Sequence, residues 1–341
     1  MGKHRHKNCI KVWEVMIVCT AITYQTKDFY FGRNLDLERS YQERVTVTPR
    51  NYKFVFRNGI ALEHHYAMIG MAAISGGYPL YFEATNEKGL SLAGLNFPKN
   101  AVYYPMCETK DNITPFELIP WILGQCDSVD EALKKIGDMN LWNVSFSEEY
   151  PLSPLHWLLA DRERAVTLEP MEDGLEIHDN QFGVLTNNPP YDYHKHNIAN
   201  YINLTPLPPE NRFSSMLNLE PYSLGMGAIG LPGDPSSASR FVKAVFTKIN
   251  SISGDTESES ISQFFHILES VVQQRGITCV RDDEYEYTLY SSCCNTTKGV
   301  YYYKTYENSR ITAVDMYREN LDGDRIISHP LITGQQIQYQ N

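Results

Sequence analysis

Apolar and polar positions alternate along this chain mostly with period two, the spacing of half-buried β-strands. Cys19-Thr20-Ala21-Ile22-Thr23-Tyr24 and Asp28-Phe29-Tyr30-Phe31 both read this way, and the polar Gln25-Thr26-Lys27 between them reads as a turn. Together they predict a β-hairpin whose register stays open by one residue. Either register brings Gly32-Arg33-Asn34 across from Cys19-Thr20-Ala21, because antiparallel neighbours lie only about 5 Å apart. Further strands are predicted at 44–49, 52–57, 66–74, 81–85, 90–95, 155–160, 165–169 and 183–186. An aromatic meander follows at 285–292, 300–306 and 310–316. Asn58-Gly59 is a hairpin-turn signal, and Ser75 to Pro79 reads as a loop.

Helical spacing interrupts this pattern in a few places. Thr114-Pro115-Phe116-Glu117 combines a capping box with proline at the first helical position, and Pro120 is expected to bend the helix that follows. Ser128 to Glu131 forms a second capping box. Residues 237–250 and 260–274 read as longer helices. The latter opens on a box from Ser260 to Gln263, gathers Ile261, Phe264, Phe265, Leu268 and Val272 on one face, and ends with Gly276 as its cap. Proline and asparagine crowd the passage from Asn187 to Arg212, which predicts a surface excursion and the place for subunit contacts. Blocks of strands and helices in this order predict an α+β fold with mainly antiparallel sheets.

Composition narrows the function classes. The chain has 341 residues, 42% of them hydrophobic, enough for a sizeable core. Its net charge of −11 argues against a nucleic-acid partner, which needs a basic face. The cysteines (Cys9, Cys19, Cys107, Cys126, Cys279, Cys293 and Cys294) are odd in number and show no CxxC spacing. That argues against a disulfide framework or a zinc site and suits a reducing cytoplasm. No apolar run approaches the roughly 18 residues of a membrane span. The apolar stretch 12–18 is too short for a signal peptide and contains Glu14. His64-His65 and His194-Lys195-His196 lack a third ligand at suitable spacing, so neither a metal nor a cofactor is expected.

The candidate chemistry lies in the first hairpin. It would place the Cys19 thiol, the Arg33 guanidinium and, just past the strand end, the Asp36 carboxylate in one small volume. A cation favours the thiolate, which is the reactive form. By spacing alone, a strand cysteine is more often a small buried apolar residue.

Cys-Thr-Ala-Ile-Thr-Tyr leading into Phe-Gly-Arg-Asn-Leu-Asp closely resembles the start of the choloylglycine hydrolase family, which includes bile salt hydrolases and penicillin V acylases. Gly94-Leu95-Asn96-Phe97-Pro98, Leu185-Thr186-Asn187-Asn188-Pro189, and Gly230-Leu231-Pro232-Gly233-Asp234 with Ser239-Arg240-Phe241 resemble later family motifs in the same order. The resemblance implies a four-layer αββα sandwich and an N-terminal-nucleophile hydrolase. Cys19 would be the nucleophile and the first residue of the mature enzyme. Asp36 would orient its amino group and Arg33 would favour the thiolate. Asn96 and Asn187 would stabilise the oxyanion, and Arg240 is carried over as an active-site residue. Asn96 favours the bile-salt branch, because penicillin V acylases typically carry tyrosine there. Tyr78 and Tyr81, near loop tips, are candidates for lining the substrate pocket. The implied substrates are glycine- and taurine-conjugated bile acids, with acyl transfer to another amine as a side activity. A penicillin V acylase-like amidase and a non-catalytic bile-acid-binding homologue are the alternatives. The resemblance also implies a homotetramer assembled through the excursion.

Residues 1–18 depart from the family, whose members commonly begin Met-Cys. An internal cysteine has no free α-amino group. Residues 1–18 are therefore expected to be an extension to a single catalytic domain, 19–341, either a cleaved propeptide or untranslated. The second is favoured: Trp13 to Met16 can be encoded to contain GGAGGTGAT, a bacterial ribosome-binding sequence, and Val18 by GTG, an alternative start codon. No packed structure is expected for residues 1–15.

Overall fold

The computed structural model describes residues 18–281 and 283–341. The expectation for residues 1–15 lies outside the described residues. Two antiparallel sheets organise the fold. The first runs in the order Val184–Leu185, Cys19–Gln25, Phe29–Leu37, Glu284–Asn295, Val300–Thr305 and Asn308–Asp315, with Thr278–Arg281 paired to the fourth. The second has eight strands, in the order Gly174–Asp179, Ala165–Met171, Leu155–Ala160, Ser91–Asn96, Tyr78–Asn86, Met68–Ser75, Arg44–Thr48 and Ile327–Pro330.

Five α-helices are described: α1 Leu118–Leu123, α2 Val129–Gly137, α3 Tyr191–Asn197, α4 Ser237–Asn250 and α5 Glu257–Glu269. Alternation along the strands distributes them into layers. Leu158 and Ala160 join a core that also holds Ile22, Leu35, Phe241 and Phe264, whereas Trp157 and Leu159 join a core with Leu118, Ile122 and Ala132. The first core runs from α4 and α5 through the first sheet to the inner face of the second. The second core packs α1 and α2 on the outer face. The four layers are therefore helix, sheet, sheet, helix, as the resemblance implied.

The first hairpin pairs Ala21 with Arg33, Thr20 with Asn34 and Cys19 with Leu35. The strand Phe29–Leu37 runs on past Asp36, so that carboxylate lies within the strand rather than beyond it. Gly32 is required here, because a Cβ at this position would meet the Ser292 carbonyl oxygen at 2.0 Å.

Several boundaries differ from the sequence expectation. Helix α5 starts three residues earlier than predicted, on a capping box formed by Thr256 and Glu259. Ser260, expected to be the cap, is buried and shares hydrogen bonds with the hydroxyls of Thr26 and Ser253. The helix also stops at Glu269, and the Gln273 carbonyl accepts the Thr288 N–H while the Gln273 N–H donates to Thr288 Oγ1. Gly276, with φ 101°, lies in the turn after that. Helix α1 begins only at Leu118. Glu117 does reach back to the Thr114 N–H at 3.1 Å, but Pro120 falls in the first turn, where a helix has no partner for an N–H. The loop expected at 75–79 is two residues, Gly76-Gly77, both at positive φ. The excursion opens on a helix, α3, and stays largely exposed well past Arg212. The strands Asp111–Ile113, Met139–Leu141, Gly174–Asp179 and Ile327–Pro330 were not anticipated.

Candidate active site

The hairpin register decides which side chains share a face. Cys19 stands opposite Leu35, so Arg33 lies on the same face one diagonal step away. That face looks towards the second sheet and lines a cavity of about 200 Å³ together with Asn96, Tyr81, Phe116 and Tyr150. Arg33 is fully buried, and its Nη1 donates to the carbonyls of Phe82 at 3.1 Å and Gly94 at 2.5 Å. Burial pushes the Cys19 thiol above its ordinary range, and the Arg33 charge works in the opposite direction.

The other face of the same hairpin carries the groups around the Cys19 backbone. The Cys19 N–H donates to Asn187 Oδ1 at 2.7 Å. Arg240, buried on α4, donates Nη1 to the Cys19 carbonyl at 2.6 Å and Nη2 to Asn187 Oδ1 at 2.9 Å. Asn187 Nδ2 donates to the Asn96 carbonyl at 2.7 Å, which ties the end of Ser91–Asn96 to the nucleophile. Asp36 Oδ1 accepts from Thr288 Oγ1 at 2.5 Å, and Oδ2 has no partner among the described residues. Burial lifts the Asp36 carboxyl to about 6, against Arg240, Thr288 and Arg33, which hold it down.

Six predicted residues thus converge: Cys19, Arg33, Asp36, Asn96, Asn187 and Arg240. Of the two tyrosines, Tyr81 lines the cavity, with its hydroxyl 2.7 Å from Thr48 Oγ1. Tyr78 packs against Phe116 and Phe146 and is not among the cavity-lining residues.

Three further residues escaped the sequence reading. Ser237 Oγ accepts the Asn187 N–H at 2.8 Å and donates to Thr186 Oγ1 at 2.9 Å, fixing the asparagine's backbone. Glu286 Oε1 accepts the Val18 N–H, and its Oε2 has no partner among the described residues. Burial and the neighbouring Asp36 charge push this carboxyl up to about 9. Glu83, buried between the sheets, lies 3.9 Å from Arg33 Nε. A lone acid in the middle of an aromatic strand, as in Tyr81-Phe82-Glu83 and Tyr285-Glu286-Tyr287, was the available signal.

Among the described residues one trio, Glu169, Glu176 and His178, brings possible metal-ligand atoms within 4.8 Å of one another. Glu169 is already committed to His156 Nδ1 at 2.9 Å and the Tyr191 N–H at 3.0 Å, and the trio does not line the cavity.

Comparison with known proteins bears on this arrangement. A family model described as linear amide C–N hydrolases, choloylglycine hydrolase family, matches residues 19–329. A bile salt hydrolase/transferase of Lactiplantibacillus plantarum is 57% identical over 314 residues, covering 92% of this chain and 97% of the relative. One of Clostridium perfringens is 38% identical over 315 residues, covering 91% and 95%. The crystal structure of a conjugated bile acid hydrolase variant from Clostridium perfringens has a TM-score of 0.88 at 36% identity, covering 95% of this chain and 100% of that one. Penicillin V acylase from Agrobacterium tumefaciens shares the fold at a TM-score of 0.71 and 17% identity, covering 93% and 92%. The αββα layering is that of N-terminal-nucleophile hydrolases, and the chain belongs to the choloylglycine hydrolase family of linear amide C–N hydrolases.

Proposed function

We propose that this protein is a bile salt hydrolase that cleaves the amide bond of glycine- or taurine-conjugated bile acids through a thioester on Cys19. The observation that carries this reading is the two-sided setting of Cys19: its thiol faces an apolar cavity beside Arg33, and its nitrogen is held by Asn187 next to Asp36 and Arg240. With Cys19 N-terminal, its α-amino group, of ordinary pKa near 8, takes the thiol proton, so no histidine is needed. Asp36 orients that amine. The thiolate attacks the amide carbon, and the carbonyl oxygen becomes an oxyanion. Asn187 Nδ2 has two hydrogens; one goes to the Asn96 carbonyl, leaving the second for the oxyanion, with the Asn96 side chain as the other donor. The C–N bond breaks as the amine leaving group takes the proton. Water then releases the free bile acid and restores the thiol. A second amine in place of water gives acyl transfer.

The aromatic and aliphatic cavity wall suits the apolar body of a steroid acyl group. A phenoxyacetyl group would meet the same wall, which keeps the penicillin V acylase reading as the second choice, and Asn96 favours the first. The test is amine release from glycocholate, taurocholate and penicillin V by protein that begins at Cys19. At least tenfold higher kcat/KM for the conjugated bile acids is expected, on the order of 1.4 kcal/mol in transition-state binding. Preference for penicillin V would reverse the assignment. No release from any substrate would favour the non-catalytic homologue.

The reading extends to assembly and place. Ile202, Leu207, Phe213, Met216, Tyr222 and Leu224 stand exposed along the excursion. Apolar side chains concentrated on one segment mark an interaction surface, and we assign it to contacts within a homotetramer. Replacing Phe213 and Tyr222 by serine should lower the mass measured by light scattering from that of four chains. An unchanged mass would place the contacts elsewhere. Free thiols at every described cysteine suit a cytoplasmic enzyme.

A further inference from the structure

Between the two sheets lies a carboxylate that the mechanism above does not use. Glu83 sits within the strand Tyr78–Asn86 and is 2% exposed. Burying a carboxylate costs several kcal/mol unless its charge and lone pairs are met. Three hydroxyls of the facing sheet meet them here. Ser292 Oγ donates to Oε1 at 3.0 Å, Tyr301 OH donates to the same oxygen, and Tyr290 OH donates to Oε2 at 2.8 Å. Ser292 Oγ also accepts the Arg33 N–H at 3.2 Å. The ionic partner of Glu83 is Arg33, whose Nε lies 3.9 Å from Oε2. That guanidinium is pinned beside Glu83 by its bonds to the carbonyls of Phe82 and Gly94.

A fully buried arginine therefore has two anionic neighbours: Glu83 behind it and, when ionised, Cys19 on the cavity side. Burial works against the charge of Arg33, and Cys19, Tyr290 and Glu83 favour it. We propose that Glu83 is a positioning residue that shares Arg33 with Cys19 and so limits how strongly Arg33 holds the nucleophile as thiolate. The proposal rests on the reading of Cys19 as the nucleophile. Sharing has a chemical purpose: a thiolate stabilised too far attacks slowly, because nucleophilicity falls as the thiol pKa falls. The other charged groups around Cys19 are Asp36 on its own hairpin, Arg240 on α4 and Glu286 on Glu284–Asn295. None of them is altered in the variants below.

The test is alkylation of Cys19 by iodoacetamide as a function of pH in protein that begins at Cys19. It is read from the mass of the peptide carrying that residue, so that Cys107 and Cys279 do not contribute. Glu83→Gln keeps the size of the side chain and removes its charge, and the alkylation midpoint should move down. A drop of about one unit gives tenfold more thiolate at pH 6; lower nucleophilicity takes back about threefold, which leaves alkylation about threefold faster. Glu83→Asp, which keeps the charge, should stay near the wild-type midpoint. Tyr290→Phe removes a hydrogen bond that offsets the charge on Oε2, so Glu83 competes more strongly with Cys19 for the pinned guanidinium, and the midpoint should move up. Tyr290→Phe keeps the test decisive should Glu83→Gln fail to fold. A role in packing alone would lower Tm and leave the midpoints of Glu83→Gln and Tyr290→Phe in place, and that result would overturn the proposal. Absence of alkylation at Cys19 in the wild type would overturn the nucleophile reading itself, and this proposal with it.

Discussion

Replacing Cys19 by serine is expected to lower amine release from conjugated bile acids by at least ~10³-fold while near-ultraviolet circular dichroism stays that of the wild type. Arg33 can favour a thiolate because a thiol ionises within reach of neutral pH, whereas the much weaker acidity of a hydroxyl puts the alkoxide out of reach. The substitution removes one polarisable atom at the end of the cavity and leaves the hydrogen bonds of the Cys19 backbone to Asn187 and Arg240 in place, so the fold should persist. Cys293→Ser and Cys294→Ser are the controls. Both thiols are buried in the first core, neither is among the cavity-lining residues, and burial holds both well in the neutral form. These variants should lose stability and keep most of their turnover. Turnover of Cys19→Ser at the wild-type rate would place the nucleophile elsewhere.

The second large effect concerns the bond between Val18 and Cys19. While that bond is intact, the Cys19 nitrogen is an amide. Its N–H is spent on Asn187 Oδ1, and its lone pair is delocalised into the peptide bond. It cannot take the thiol proton, and burial keeps the thiol above its ordinary pKa. Protein in which Met1 to Val18 remain attached is therefore expected to be at least ~10³-fold less active than protein beginning at Cys19. The setting around Cys19 fits a cation in place of that amide. Asp36 Oδ2 is buried without a partner among the described residues, and Glu286 would lose the Val18 N–H and gain a neighbouring ammonium. Intact mass or N-terminal sequencing of purified protein should report Cys19 as the first residue. An active enzyme that still carries Val18 would refute the α-amino base, whichever origin residues 1–18 have.

The parts of this site that the sequence made legible are local or carried by motifs. Alternation of apolar residues through Cys19 to Phe31 is enough for a hairpin, because the pleat sends successive side chains to opposite faces. A hairpin in either register brings the Arg33 backbone close to Cys19, and the observed register, with Cys19 opposite Leu35, sets the two side chains on one face. A capping box located α2 by the same local logic, and Asn96, Asn187 and Arg240 were found through ordered motifs. Where local signals competed, the outcome lay elsewhere. Thr256 to Glu259 and Ser260 to Gln263 are both capping boxes by composition, and burial of Ser260 against Thr26 chose the first. Gly276 looked like the end of α5 because nothing local shows that Gln273 will pair with Thr288.

By itself, then, the sequence determined most of the strands and the first hairpin, since these follow from bonds and sterics between near neighbours. Which face of the hairpin meets which layer was decided only by tertiary packing. Arg240 reaches the Cys19 carbonyl across 221 positions of sequence, and Glu83 meets hydroxyls more than 200 positions away. No periodicity encodes such pairs. They exist because the two sheets stack and leave a buried charge no water to turn to, so its partners must come from whatever strand the fold sets opposite it.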